Sequence, residues 1–328
     1  MDRASGPPNP RRDRRCRQVA DQGRLRDLSE SVLSRVQSPE SAVLVALSGG
    51  ADSAVCAWAM VQMGVTVRGT YVDHGWAHSS MMGEAAGKVA HHLDIDLERR
   101  SVDAPRDEGG ARRLRYMALT GVARDEELIA TGHTADDQVE TVLAFILRGT
   151  GPEGLMGIPR ERSGLVRPII DVWRAETREL SAMLALPVAD DPTNDEPGQR
   201  NDIRNILIPH LEETYNPAVK RALVRMSGLV AEEHSLIAEM ADSVPVRVGE
   251  GMATIPLSSL RSVGRAVATE AIRRVCRRLN PPYGPDADGI SRILDVVEGA
   301  SAGAEVGGGL TVRTDRALLT ISTRDGKH

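Results

Sequence analysis

Residues 44–53 read Leu-Val-Ala-Leu-Ser-Gly-Gly-Ala-Asp-Ser, and the apolar run 54–61 follows them directly. This pattern predicts a buried strand, a tight turn and a helix. Gly49 and Gly50 carry no side chain, so the backbone N–H groups of the turn can closely approach a ligand. The helix that follows directs its unpaired N–H groups and its positive dipole end at the same place. The stretch therefore predicts a phosphate or pyrophosphate site.

An ordinary turn between a strand and a helix can also contain glycines and a capping Ser or Asp, and a glycine pair alone does not separate the two cases. The complete string Ser-Gly-Gly-x-Asp-Ser after an apolar strand favours the phosphate site. No lysine follows the glycines, so this is not the Gly-Lys-Ser/Thr type of phosphate loop. The string resembles the pyrophosphatase loop of the N-type ATP pyrophosphatases, which cleave ATP between its α and β phosphates and adenylate a substrate oxygen.

Strand and helix patterns alternate along the chain after this stretch. Apolar runs predict strands at 65–72, 95–102 and 128–131. Periodic runs predict helices at 81–93, from 109 and from 135. This alternation predicts a doubly wound parallel α/β sheet with crossover helices. Asp73 follows the second strand, at the edge where ligands of such sheets gather.

A length of 328 residues suggests about two domains. Residues 1–22 are rich in Pro and Arg, and we expect them to form a disordered basic tail. Residues 23–215 form the expected α/β domain, and residues 216–328 form a smaller, mainly helical α+β domain. That second domain contains an arginine cluster on one predicted helix, which is either a local patch for an RNA backbone or a solvated helix face. The cluster consists of Arg273, Arg274, Arg277 and Arg278.

The composition is that of a soluble globular protein, with 41% hydrophobic and 27% charged residues. A net charge of −5 excludes a global attraction to nucleic acid, so any RNA site must be a local basic patch. Cys16, Cys56 and Cys276 are far apart in sequence and form no disulfide framework, which favours a reducing compartment. We see neither a signal peptide nor an apolar run long enough to span a membrane, and we therefore expect a cytoplasmic protein.

A second informative stretch, residues 132–141, places one histidine and three acids at the spacing i, i+3, i+4 and i+7. If a helix extends over His133, Asp136, Asp137 and Glu140, they share one face. The carboxylates repel one another unless a cation lies among them. This predicts a site for the Mg²⁺ of ATP, for a cationic substrate, or for both. One aspartate could instead cap the helix, and a solvated acidic surface is the alternative.

Two arginine pairs stand at helical spacing, Arg112 with Arg115 and Arg200 with Arg204. The first pair has either a phosphate or tRNA role or a place on a solvated basic face. The second pair has both guanidinium groups on one side of a predicted helix, unless nearby acids pair with them. Residues 148–157 are too rich in glycine for a regular element, and we expect a mobile loop that closes over a substrate or a plain connector.

These motifs occur in one order, and together they resemble the tRNA(Ile)-lysidine synthetases from about residue 42 to about residue 215. The motifs are Ser-Gly-Gly-x-Asp-Ser at 48–53, Val-Asp-His-Gly at 72–75, Ala-Arg-Arg-x-Arg-Tyr at 111–116, Gly-His-x-x-Asp-Asp-Gln-x-Glu-Thr at 132–141, Arg-Gly-Thr-Gly at 148–151 and Arg-Asn-x-x-Arg at 200–204. The C-terminal part resembles the first C-terminal domain of that family more loosely. We expect no further domain of the kind that longer members carry.

The resemblance implies a ligase that uses ATP and Mg²⁺ to join free L-lysine to the wobble cytidine of a tRNA(Ile) with a CAU anticodon. The cytidine carbonyl oxygen is first adenylated, and the lysine side-chain amine then displaces AMP. It also implies roles for individual residues: ATP binding by Ser48, Gly49, Gly50, Ala51, Asp52, Ser53, Asp73 and Arg204, Mg²⁺ binding by Asp52 and Asp136, charge neutralisation by Arg112 and Arg115, lysine binding and deprotonation by Asp137 and Glu140, and a contribution from His133.

Three rival functions are weaker. The tRNA thiolases of the same group need reactive cysteines or Cys-x-x-Cys pairs, and glutamine-dependent synthetases need an ammonia source; the sequence contains neither. A non-catalytic protein that binds ATP or tRNA would have no need of the four acids Asp52, Asp136, Asp137 and Glu140.

Overall fold

The computed structural model describes residues 10–76, 78–103, 108–191, 198–281, 284–315 and 317–324. The chain divides into two compact units, Met1–Ser227 and Gly228–His328. The sequence places the boundary after residue 215, whereas the units divide within one long helix. The start of that helix belongs to the first unit because Leu223 and Val224 pack there on Val139 and Leu143.

The first unit contains a six-stranded sheet in the order β3-β2-β1-β4-β6-β5. Neighbouring strands pair in parallel, except that β5 runs antiparallel to β6. The strands are β1 Val43–Ala46, β2 Val67–Asp73, β3 Leu97–Ser101, β4 Leu128–Ala130, β5 Glu161–Arg162 and β6 Leu165–Val166. The predicted doubly wound α/β sheet is confirmed.

Helices connect the parallel strands and cover the sheet. The described helices of this unit are α1 Pro10–Leu33, α2 Ala51–Gln62, α3 Ser79–His92, α4 Glu108–Val122, α5 Ala135–Leu147, α6 Pro152–Leu155, α7 Arg174–Met183, α8 Gln199–Asp202, α9 Ile208–Thr214 and the first turns of α10 Val219–Asp242. A π-helical turn, Ile203–Leu207, joins α8 to α9.

The core explains why the Ser-Gly-Gly stretch is rigid. Val43, Leu44 and Val45 are completely buried in the central strand. All residues of α2 from Ser53 to Met60 are buried as well, so this helix is an internal element and not a surface one. Because β1, β2 and β4 run parallel, their carboxyl ends meet at one edge of the sheet. Residues 47–53, 74–76 and 131–134 are thereby brought to one side of the unit.

Three sequence expectations differ from the structure. Residues 10–22, expected within a disordered tail, form the start of α1, while residues 1–9 lie outside the described residues. The glycine-rich segment 148–157 contains the short helix α6, because Gly151 caps it and Pro152 favours the first turn. The sequence pattern of residues 257–279 predicts one helix that carries the arginine cluster, but the structure has two helices there, because Val263 and Gly264 both adopt extended backbone between them.

The second unit pairs the end of α10 and three further helices with a five-stranded antiparallel sheet in the order β7-β8-β11-β10-β9. Its elements are β7 Arg247–Gly249, β8 Met252–Pro256, α11 Leu257–Ser262, α12 Arg265–Leu279, α13 Ala287–Glu298, β9 Gly303–Glu305, β10 Leu310–Asp315 and β11 Leu318–Thr323. Among the described residues of the whole chain, no helix combines the length and the apolar character needed to cross a membrane.

The arginine cluster of α12 is partly neutralised within the second unit. Glu270 is buried and accepts a hydrogen bond of 2.8 Å from Arg274 Nε, and Arg274 also pairs with Asp242. Arg277 lies 3.9 Å from Glu270. Arg278 remains exposed. The positive charge available to an RNA backbone is therefore smaller than the sequence suggests.

Candidate active site

The turn between β1 and α2 closes on itself through its two serines. Ser48 N donates to Ser53 Oγ at 3.1 Å, Ser53 Oγ donates to Gly50 O at 3.0 Å, and the two hydroxyl oxygens lie 3.0 Å apart. Gly49 has a φ of +89°, and a Cβ on it would lie 2.3 Å from Met82 O. Only glycine fits this position, because a side chain would meet both a strained backbone and a backbone carbonyl.

The N-terminus of α2 opens from this turn. Its N-cap, Gly50, makes no side-chain cap hydrogen bond. The first N–H groups of a helix have no partner within the helix, and the dipole adds partial positive charge there. Residues 48–53 thus have the geometry of an anion site. The phosphate site predicted from the sequence is consistent with this geometry and remains a prediction.

Gly132 lets the segment after β4 touch this turn. A Cβ on Gly132 would lie 2.8 Å from Ser53 N and 2.9 Å from both the carbonyl carbon and the carbonyl oxygen of Asp52. These are backbone atoms of a buried helix, so they cannot move aside cheaply. The contact fixes the distance between the phosphate turn and the acidic stretch that follows β4.

We expect Gly132→Ala to separate these two segments. Overpacking of this kind costs about 1–3 kcal/mol of the free energy of unfolding, and ATP binding weakens because the turn is displaced. Gly121→Ala on α4 is the matched control, since a Cβ there meets open space and alanine favours a helix. Chemical denaturation and ATP titration of both variants provide the measurement. Equal stability and equal ATP affinity of the two variants would contradict the close contact.

Helix α5 begins at Ala135, one residue after its cap, and this changes the expected acidic face. Thr134 N and Thr134 Oγ1 both donate to Asp137 Oδ2, at 2.7 and 2.9 Å. The helix therefore does not extend back over His133, which shares a hydrogen bond of 2.7 Å with Thr131 Oγ1. The condition for His133 to share a helix face with the acids is therefore not met, and its role in the site stays a prediction.

Three arginines fill the space around Asp137 and Glu140. The exposed fraction is only 7% for Asp137 and 1% for Glu140. Arg200 bridges them, with Nη2 2.7 Å from Asp137 Oδ1 and Nε 2.8 Å from Glu140 Oε2. Arg204 donates to both oxygens of Glu140, at 2.7 and 3.0 Å. Guanidinium groups of the chain itself therefore lie among these carboxylates, and the predicted site for Mg²⁺ or a cationic substrate remains a prediction.

Arg174, the first residue of α7, joins the acidic stretch to the phosphate turn. Its guanidinium donates to Asp137 Oδ1 at 2.9 Å and to Glu140 Oε1 at 3.0 Å, and its Nε lies 3.5 Å from Asp52 Oδ2. Thr177, one turn further along α7, donates to Asp52 Oδ1. Three carboxylates from two helices thus meet one side chain. Arg174 is not among the site residues predicted from the sequence.

The hydrogen-bond partners of Asp136 differ from those of Asp137. Its Oδ2 accepts from Arg174 N at 2.8 Å, and its Oδ1 accepts from Lys220 Nζ at 3.1 Å. Lys220 is the second residue of α10 and was also not selected from the sequence. Both oxygens of Asp136 are therefore engaged by groups of the chain.

The charges around the acids set their protonation. Burial raises the pKa of Asp137, but the Arg174 and Arg200 guanidiniums outweigh it and hold that pKa below its usual range. The pKa of Glu140 is lowered in the same way, against burial, by Arg204 and Arg174. Burial raises the pKa of Asp52, in spite of the Thr177 hydrogen bond and Arg174. Burial lowers the pKa of His133 to about 4, so its imidazole is neutral at physiological pH.

The other predicted site residues lie elsewhere on this edge. Arg112 stacks over the Tyr116 ring, 5.1 Å from its centroid, and makes no ion pair with the acids among the described contacts. Burial, followed by the charge of Arg115, lowers the pKa of His74, the residue that follows β2. Asp73 Oδ1 accepts from Gly75 N at 2.8 Å. Neither predicted arginine holds the central position that Arg174 holds.

Known proteins match the chain in both sequence and fold. A family model described as a PP-loop domain matches residues 20–211. The tRNA(Ile)-lysidine synthase of Thermobifida fusca is 33% identical over 258 residues, covering 74% of this chain and 79% of the relative. That of Leifsonia xyli is 34% identical, covering 73% and 76%. That of Solibacter usitatus is 33% identical, and the match covers 77% of this chain but 61% of the relative.

One solved structure extends the comparison to the fold alone. The U34-tRNA thiolase NcsA from Methanococcus maripaludis superposes with a TM-score of 0.53 at 19% sequence identity. The superposition covers 65% of this chain and 79% of the thiolase chain. The likeness at this level of sequence identity concerns the fold alone.

Proposed function

The chain belongs to the PP-loop domain family and to the tRNA(Ile)-lysidine synthases, and on that premise we propose that it joins free L-lysine to the wobble cytidine of a tRNA(Ile) with a CAU anticodon. It is an ATP-using ligase that modifies tRNA. The observation that carries the finer proposal is Arg174, which connects Asp52 of the phosphate turn to Asp137 and Glu140. One cluster thereby serves both ATP and a cationic substrate.

In the first step the cytidine carbonyl oxygen at ring position two attacks the α phosphorus of ATP. A bond from that oxygen to phosphorus forms, the bond between the α phosphorus and the α,β-bridging oxygen breaks, and pyrophosphate leaves. Residues 48–53 offer backbone N–H groups and hydroxyls to the phosphates. The guanidinium of Arg174 lies beside Asp52 of this turn, and those of Arg200 and Arg204 lie beside Glu140. From there they offset the negative charge that develops on the leaving pyrophosphate.

In the second step the lysine amine attacks ring carbon two of the adenylated cytidine. The carbon–nitrogen bond forms, the carbon–oxygen bond to AMP breaks, and the amine loses its extra proton. Asp137 and Glu140 are ionised at physiological pH because their pKa values are lowered, so they attract the ammonium group. A carboxylate surrounded by guanidiniums is a weak base. Proton transfer to either acid therefore requires its arginine partners to shift toward the phosphates.

Mg²⁺ is expected with ATP, and the carboxylate of Asp52 fits it. Asp52 Oδ1 accepts from Thr177, while Oδ2 is 3.5 Å from Arg174 Nε and keeps lone pairs for a hard cation. Magnesium sites on nucleotides use one or two carboxylates together with phosphate oxygens. Bound there, the ion neutralises charge on the leaving pyrophosphate. Asp136 fits less well, because both of its oxygens already accept hydrogen bonds.

A sulfur-transfer reaction like that of the structurally similar thiolase is the second candidate, and the cysteines disfavour it. Cys56 and Cys276, whose side chains are described, are both buried. Burial raises the pKa of each thiol to about 12, so neither forms a thiolate at physiological pH. A non-catalytic protein that binds ATP or tRNA is the third candidate, and the assay for activity separates it from an enzyme.

The test measures labelled lysine incorporation and ATP–pyrophosphate exchange with a tRNA(Ile) transcript that has a CAU anticodon. We expect both activities with this transcript and neither when the wobble cytidine is replaced by uridine. Exchange without lysine incorporation would keep the adenylating step and overturn the lysine step. Binding of ATP and tRNA with neither activity would favour the binding-protein alternative.

A further inference from the structure

The ammonium group of Lys220 is held by two acids and an aromatic ring. Its Nζ lies 3.1 Å from Asp136 Oδ1 on α5 and 3.9 Å from Glu212 Oε1 on α9. The ring of Trp173, immediately before α7, lies beneath it with its centroid 5.3 Å away. We call Asp136, Trp173 and Glu212 the ammonium subsite. In this structure the cation in the ammonium subsite is the side chain of Lys220.

The subsite differs in chemistry from the neighbouring pair of acids. Asp137 and Glu140 face planar guanidiniums, which donate to both carboxylates in a fork. The ammonium subsite combines carboxylates with an aromatic face, and this combination recognises a compact alkylammonium charge. Of the 41 basic residues of the chain only three are lysines, so the arginine-rich composition does not account for an ammonium at this place.

The contact between Lys220 and the subsite is one that a competing cation can replace. The exposed fraction of the side chain is 30% for Lys220 and 34% for Glu212, so the ion pair is reached by water. Partly exposed ion pairs are weak. Lys220 is the second residue of α10, and its side chain can swing into solvent without any change in the helix.

We propose that the ammonium subsite receives the α-amino group of the substrate lysine and that Lys220 is an internal ligand which the substrate displaces. This inference rests on the proposed function. The reacting amine must lose a proton, whereas a site built of carboxylates and an aromatic face stabilises the protonated form. The subsite therefore suits the amino group that does not react. Asp137 and Glu140, one helical turn apart on α5, remain for the amine that does.

The experiment compares the KM for lysine of Lys220→Met with that of the wild type, at saturating ATP and tRNA. Removing the internal competitor lowers this KM about fivefold, the factor expected from a weak, partly exposed pair. Lys88→Met is the matched control, since it removes the other described lysine from an exposed position on α3, and its KM is unchanged. Nα-acetyl-lysine lacks the α-ammonium, so its inhibition of incorporation is equal in the wild type and in Lys220→Met.

Two results would overturn the inference. An unchanged or raised KM for lysine in Lys220→Met, with a lower kcat, would mean that Lys220 only positions Asp136. Stronger inhibition of Lys220→Met by Nα-acetyl-lysine would mean that the subsite does not bind the α-ammonium. If Lys220→Met does not fold, Lys220→Gln carries the same comparison. Wild-type protein that incorporates no lysine at any concentration would overturn the proposed function itself, which keeps the two failures distinct.

Discussion

Glu140→Gln lowers the free energy of unfolding by about 3 kcal/mol and abolishes lysine incorporation, because it removes one charge from a site where three arginines converge. Glu140 accepts hydrogen bonds from Arg174 at 3.0 Å, from Arg200 at 2.8 Å and from Arg204 at 2.7 and 3.0 Å. Its exposed fraction is 1%, so water cannot replace the lost charge. Chemical denaturation and the incorporation assay measure the two effects.

The pH dependence of stability provides a second signature of the same substitution. The folded pKa of Glu140 lies below its ordinary value of 4.5, so this carboxylate stabilises the fold above that pH and the contribution is lost as the pH falls through the folded value. The stability of Glu140→Gln therefore lacks this pH-dependent contribution and falls less on acidification. Glu213→Gln, at an exposed position on the neighbouring helix α9, is the matched control and changes neither quantity. Equal stability of the two variants would contradict the buried arginine cluster.

The phosphate turn could be predicted from the sequence because every signal for it is local. An apolar β-branched run, two glycines and a helical apolar run are contiguous, and the strand and helix observed there are Val43–Ala46 and Ala51–Gln62. The later strands were predicted to within a few residues for the same reason. The family resemblance rested on these local strings, and the matches to lysidine synthases confirm it.

Two of the four cations of the site, Arg174 and Lys220, could not be predicted, since their partners are distant in sequence. Arg174 is 34 residues from Glu140, and Lys220 is 84 residues from Asp136. No periodic pattern connects positions so far apart; only the packing of α7 and α10 against α5 brings them together. A signal existed for Arg174, since the pattern of residues 174–186 predicts a helix that begins at this residue. To recognise Arg174 as a site residue from this signal, one must also know that the helix starts beside the carboxyl ends of the strands.

Helical spacing alone does not decide which residues of this unit share a face or where that face points. His133 could share a face with Asp136, Asp137 and Glu140 only if the helix covered all four, and α5 begins after its cap, Thr134. Helical spacing also permits Arg112 and Arg115 to share a face, and their role in the reaction stays a prediction. Which way a face points depends on packing. Leu119 of α4 is buried in the core with Ile129, and Arg112 instead lies on Tyr116.

Arg174→Lys lowers kcat/KM for lysine incorporation about a hundredfold, although it keeps the positive charge. The guanidinium of Arg174 spans Asp137 at 2.9 Å, Glu140 at 3.0 Å and Asp52 at 3.5 Å, and a single ammonium cannot reach all three. Each charge-assisted hydrogen bond is worth about 1.5–3 kcal/mol, so the loss of one or two accounts for the expected factor. Steady-state kinetics with the CAU transcript measures it.

Arg178→Lys is the matched control, one turn along the same helix and exposed to solvent, and we expect wild-type kinetics from it. The comparison decides whether Asp52 and the buried acids act as one unit. If they do, Arg174→Lys impairs both pyrophosphate exchange and lysine incorporation, because the same side chain orders the carboxylates used in each step. If exchange is impaired while incorporation onto preformed adenylated tRNA proceeds normally, the two groups act separately. Wild-type rates in both assays would mean that the contacts of Arg174 do not contribute to the reaction, which would contradict the argument for the proposed function.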